Sequence, residues 1–67
     1  MRVAVDSLLK REDKTRYWLA NEIGVTYQNL RNLCNNNTTA IKFEILENIC
    51  FALHCTPNDI LIIEQND

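Results

Sequence analysis

The chain of 67 residues has one glycine, one proline and one histidine, and each shortage narrows what it can be. So few chain breakers cannot supply the turns of a β-sandwich; they suit a run of short helices. No apolar run approaches the roughly 20 residues that a membrane span needs, and no basic-then-apolar signal segment stands ahead of the first helix. A soluble, cytoplasmic protein without membrane contact is expected. Cysteine is sparse and unpaired in pattern: Cys34, Cys50 and Cys55 are odd in number and form no C-x-x-C pair. Such a set, without a secretory signal, reads as reduced thiols rather than a disulfide framework. Cys50, His54 and Cys55 crowd one helix end but lack a second ligand pair, so neither a metal nor another cofactor is expected. No Ser/His/Asp set, paired carboxylate or Gly-rich phosphate loop accompanies His54, and no catalytic residues are assigned.

What is present is a hydrophobic fraction of 46%, ordinary for a folded chain. The length supports one domain over residues 1–67, near the lower limit for folding without staples. Net charge is −2, which by itself argues against a nucleic-acid partner. Its distribution argues otherwise. All seven basic residues (Arg2, Lys10, Arg11, Lys14, Arg16, Arg31, Lys42) precede residue 43, against four acids there, while residues 43–67 hold five acids and no base. A chain polarised in this way can carry a basic face under an acidic total.

Apolar periodicity divides the chain into helices. Val5, Leu8 and Leu9 predict a first helix over about 4–12, closed by the charged stretch Arg11–Lys14. Thr15 is the expected N-cap of a second helix running to Ile23, with Leu19, Ala20 and Ile23 on one face. Gly24 then supplies a left-handed turn that a Cβ would penalise. Thr26 caps a third helix, about 27–34, whose Leu30 and Leu33 share a face, and the polar Asn35–Thr39 is a loop. Phe43, Leu46, Ile49, Cys50 and Leu53 predict a fourth helix over 42–54 with these residues facing inward. Thr56 and Pro57 open a short fifth helix through Ile60 or Leu61. The apolar run Ile60–Ile63 exceeds what a last turn requires, and part of it reads as an extended tail or a dimer contact. Trp18, at the edge of the second helix's core face, reads either as partly buried against the first helix or as an interface or DNA-backbone contact. The expected fold class is an all-α bundle of five short helices.

Two short helices joined at a glycine form a helix-turn-helix candidate over about residues 16–35, a unit that commonly places its second helix in the DNA major groove. The stretch Arg16–Asn35, with Leu19-Ala20, Gly24 and Leu30, resembles the helix-turn-helix of the Cro/cI-type (XRE-like) phage-repressor family. The later stretches Phe43–Cys50 and Leu53–Leu61 are similar to a small single-domain branch ending in L-x-x-I-C … L-x-C-x-P-x-D-[IL]-L. The resemblance covers about Val5 to Ile62. It implies a λ-repressor-like DNA-binding fold and a transcriptional regulator, commonly dimeric. Trp18 departs from it, standing where that family usually has a polar residue.

With Leu30 and Leu33 set toward the core, 100° steps turn Gln28 and Asn35 outward, Arg31 and Asn32 beside them, and Tyr27 and Asn29 to the flanks. Gln pairs bidentately with adenine and Arg with guanine, so Gln28 and Arg31 are the leading base-reading candidates, followed by Asn32 and Tyr27. Tyr27 reads equally as packing against the second helix. Phosphate contacts are expected from Arg16 at a helix N-terminus, Thr26 at the third helix cap, the loop residues Asn35, Asn36, Asn37 and Thr38, and Lys42. The Asn run reads also as a turn and helix cap. The expected function is a sequence-specific DNA-binding regulator, a repressor, acting as a homodimer on double-stranded DNA. The alternative is a protein-interaction module on the same fold, such as an antitoxin or accessory subunit, supported by the acidic second half, Trp18 and the Ile60–Ile63 tail.

Overall fold

The computed structural model describes residues 2–63; Met1 and residues 64–67, including the acidic Glu64 and Asp67 counted above, lie outside the described residues. The element order is β1 (Arg2–Val3), α1 (Val5–Arg11), α2 (Arg16–Ile23), α3 (Tyr27–Cys34), α4 (Phe43–Leu53), α5 (Pro57–Ile60) and β2 (Leu61–Ile62). Each helix turns one stripe toward a shared core. Val5, Leu8 and Leu9 come from α1, Leu19 and Ala20 from α2, Leu30, Leu33 and Cys34 from α3, and Leu46, Ile49, Cys50 and Leu53 from α4, with Ile60 closing the end. No charged or polar residue is buried among them.

Local chemistry sets the helix starts. The Thr15 hydroxyl accepts the Trp18 amide at 3.1 Å and the Thr26 hydroxyl accepts the Asn29 amide at 3.2 Å, each satisfying one orphan N–H of a helix N-terminus. At α5 the Asp59 carboxylate accepts both the Thr56 amide, at 3.1 Å, and its hydroxyl, at 3.2 Å. Pro57 sits at the first helical position, where its missing N–H costs nothing.

The helix ends are less expected. Gly24 has φ 73°, as its place in the turn demands, but Asp13, Asn36 and His54 also adopt left-handed φ of 56°, 60° and 53°. After α1, Lys14 N–H bonds Leu9 C=O and Asp13 N–H bonds Lys10 C=O; after α3, Asn37 bonds Asn32 and Asn36 bonds Leu33. Both are the paired six-to-one and five-to-two closures of a Schellman end. Asn and Asp tolerate that geometry better than other non-glycine residues.

Two expectations are corrected. The fold is not strictly all-α: Arg2 pairs with Ile62 and Val3 with Leu61 in an antiparallel two-stranded sheet. The chain leaves α5 extended at Leu61 (ψ 117°), which brings Leu61 and Val3 against the core. That pairing uses part of the Ile60–Ile63 run within the molecule. The fourth helix also begins at Phe43, with Lys42 as its cap, and Phe43 is 88% exposed rather than inward. Ile41 and Ile45 pack against the core at that end instead, leaving the first residue of α4 outside the stripe that Leu46, Ile49, Cys50 and Leu53 define.

Candidate nucleic-acid interface

The outward surface of α3 follows from its buried one. Leu30, Leu33 and Cys34 are buried, and on a helix of 100° steps Gln28, Arg31, Asn32 and Asn35 fall within an opposite arc of about 100°. Gln28, Arg31 and Asn35 are exposed and Asn32 is half-buried. Gln28 Nε2 donates to Asn32 Oδ1 at 3.4 Å. The bond aligns two amides one turn apart and leaves Gln28 its carbonyl oxygen and one N–H, which is the pair an adenine edge requires. Asn32 keeps its own NH₂. Arg31 has no hydrogen-bond or ionic partner among the described residues, so its five donors are available.

Tyr27, on the flank of that arc, stacks on Tyr17 of α2, with ring centroids 4.0 Å apart and planes 5° from parallel. Packing against the second helix, one of the two readings of Tyr27, is therefore seen. Tyr17 itself is 64% exposed. Sequence reasoning missed it, because an exposed aromatic at the second residue of a helix carries no periodic signal.

The expected phosphate ligands divide into two groups. Lys42 and Thr38 are exposed with no side-chain partner among the described residues, as is Asn37. Thr26 accepts the Asn29 amide but keeps its hydroxyl hydrogen. Two open grooves of about 290 and 350 Å³ flank the loop, sharing Leu33, Thr38, Ala40 and Ile41. Arg16, Asn35 and Asn36, by contrast, are engaged within the protein. Arg16 Nε donates to Asp6 Oδ1 at 2.9 Å, and its Nη2 donates to Asp6 Oδ2 and, at 3.1 Å, to Asn35 Oδ1. This clip joins α1, the start of α2 and the end of α3, leaving only the Nη1 hydrogens of Arg16 for an anion. Asn36 accepts the Val3 amide at 2.6 Å and donates to the Val3 carbonyl at 3.5 Å, so its side chain anchors β1 to the loop as a third strand would.

The clip has an electrostatic consequence. The Arg16 hydrogen bond, reinforced by its charge, holds the Asp6 carboxyl below its ordinary value of 3.8. A carboxylate whose pKa is lower folded than unfolded stabilises the fold above its unfolded pKa, and loses that contribution as pH falls through the folded one. Asp6→Asn is therefore expected to flatten the acid limb of stability below about pH 4 and to lower neutral-pH stability by the same amount, a small one because the pair is partly exposed. Thermal melts from pH 2 to 7 measure this; parallel curves for both proteins would show that the clip carries no charge contribution.

Around the core edge, Trp18 is half-buried against the hydrophobic cluster, with Lys14 Nζ 4.9 Å from its ring centroid. Arg11 Nη2 donates to the Leu53 carbonyl at 3.2 Å, satisfying an orphan acceptor at the end of α4. Burial, with the Asp6 carboxylate nearby, pushes the Cys34 thiol up to about 11; burial with the adjacent Cys50 does the same for Cys55. These are poorly nucleophilic thiols at neutral pH. No group of three His, Cys, Asp or Glu side chains converges among the described residues, and no described helix is long and apolar enough to cross a membrane.

Comparison with known proteins points to one family. A family model described as a Cro/C1-type HTH DNA-binding domain matches residues 4–66. An uncharacterized HTH-type transcriptional regulator of Bacillus subtilis (strain 168), YozG, is 37% identical over 59 residues, which cover 88% of this chain and 70% of that protein.

Proposed function

Because the chain belongs to the Cro/C1-type helix-turn-helix DNA-binding family, we propose that it is a sequence-specific transcriptional regulator, a repressor, that reads the major groove with α3. The observation that carries this reading is the outward arc of α3, where an unpartnered Arg31 lies beside the aligned Gln28 and Asn32 amides. These are the side chains whose donors and acceptors match guanine and adenine edges. Lys42, Thr38, Asn37 and the Thr26 hydroxyl hold phosphates beside the groove, and they fix register without reading sequence. Arg16 and Asn35 support the same surface chiefly by bracing α3 against α1 and α2, with the Nη1 edge of Arg16 left for a phosphate.

A single module of this size buries little DNA surface, so the protein works as a homodimer on a palindromic site, its two recognition helices about 34 Å apart. Selection from a random-sequence DNA pool, with sedimentation of the free and bound protein, tests this reading. An enriched palindrome bound by two chains supports it. Folded protein that enriches nothing at low salt would overturn it.

A second reading, the protein-interaction module, draws on Phe43 and Phe51, which are 88% and 69% exposed on α4 beside Glu44 and Glu47. Of its original supports, Trp18 packs on the core and Ile60 is fully buried while Ile63 stays 70% exposed, so α4 and the end of that tail are its main ground. A strict monomer without DNA affinity at low salt favours it.

A further inference from the structure

We propose that Tyr17 is a specificity-positioning residue: by stacking on Tyr27 it fixes the ring that flanks Gln28 at the start of the recognition helix. The inference rests on the reading of α3 as the base-reading helix. Tyr17 and Tyr27 lie on opposite sides of the Gly24 turn, yet their rings are parallel within 5° at 4.0 Å. Parallel rings this close pack face on face, and each ring restricts the other's torsions.

The stack is not part of the core. Tyr17 is 64% exposed, and α2 is held by the buried Leu19 and Ala20 with Ile23 beside them. Neither phenol hydroxyl has a hydrogen-bond partner among the described residues, so no polar network holds the pair in place. What Tyr17 does is cover one face of Tyr27 and leave a fixed edge beside Gln28, at the N-terminal end of α3. That end is where helix-turn-helix proteins meet base edges. A fixed aromatic edge offers apolar contact to a thymine methyl, so the pair selects A·T at the base pair flanking the one Gln28 reads. A mobile Tyr27 would spread its contact over several steps and select none.

The test compares wild type, Tyr17→Phe and Tyr17→Ala in the random-pool selection, with thermal melts of all three. Tyr17→Phe keeps the stack and is expected to reproduce the wild-type motif. Tyr17→Ala is expected to melt near wild type and to lose preference by about fivefold or more at one outer base pair of each half-site, with other positions unchanged. An unchanged motif for Tyr17→Ala, or an equal loss at every position, overturns the inference while leaving the regulator reading intact. Uniform weakening by Tyr17→Phe would make the hydroxyl a phosphate ligand and likewise overturn it. A wild-type pool with no enriched sequence overturns both.

Discussion

Leu30→Ala is expected to lower the melting temperature by roughly 10–30 °C, enough to leave the protein largely unfolded near 37 °C. Leu30 is 1% exposed and sits where α3 meets the core cluster. Truncating a buried leucine removes transfer free energy and leaves a cavity, together costing about 2–5 kcal/mol. For 67 residues the total stability is on the order of 3–10 kcal/mol, and each kcal/mol moves the midpoint of so small a domain by about 4–8 °C. Gly24→Ala is the natural control. No atom lies within 4 Å of where its Cβ would stand, so only the left-handed φ of 73° is penalised, at about 1–2 kcal/mol. Calorimetry at fixed protein concentration checks both, since dimerisation would make the midpoint concentration-dependent. A smaller shift for Leu30→Ala than for Gly24→Ala would mean that α3 is rotated away from the core face described.

The difference between these two sites also explains what could be read before the structure. Helices α1 to α5 were legible because each buries one stripe, so period and caps agree: Thr15, Thr26 and Pro57 sit where the apolar pattern starts. The outward arc of α3 was legible for the same reason, since placing Leu30 and Leu33 inside leaves Gln28, Arg31, Asn32 and Asn35 outside. Interactions between elements were not legible. Strands of two residues at opposite ends of the chain carry no period-2 signal, so β1 and β2 emerge only once α5 has delivered Leu61 beside Val3. Asp6 lies on α1, Arg16 opens α2 and Asn35 caps the end of α3, and the clip that engages Arg16 is a product of their packing. Phe43 fitted the α4 period but not its position, because Ile41 reaches back from the loop to cover the core first. The left-handed ends at Asp13, Asn36 and His54 lack the glycine that marks Gly24, and their bonds back to the preceding helix are what identify them.

The double substitution Gln28→Ala/Arg31→Ala is expected to separate reading from positioning. Each bidentate pair contributes about 1–3 kcal/mol of discrimination, so losing both costs roughly 2–6 kcal/mol at each half-site, at least about thirtyfold in specific affinity. Both residues are exposed, and a surface change of this kind moves stability by no more than about 0.5 kcal/mol, so the melting curve stays close to wild type. Binding to random DNA should fall far less, because Lys42 and the polar loop remain. The single variants then divide the roles. If Arg31 reads guanine, Arg31→Ala weakens the selected site and relaxes one base position. If it instead neutralises a phosphate, specific and random DNA weaken together and the salt slope drops by about one for each half-site bound. The Gln28–Asn32 bond adds a coupling: Gln28→Ala releases Asn32, so Gln28→Ala and Asn32→Ala should be non-additive. Titrations of selected and scrambled duplexes from 50 to 200 mM salt measure all of these together. Equal affinity of the double variant and wild type for the selected palindrome would place base reading on another surface of the protein.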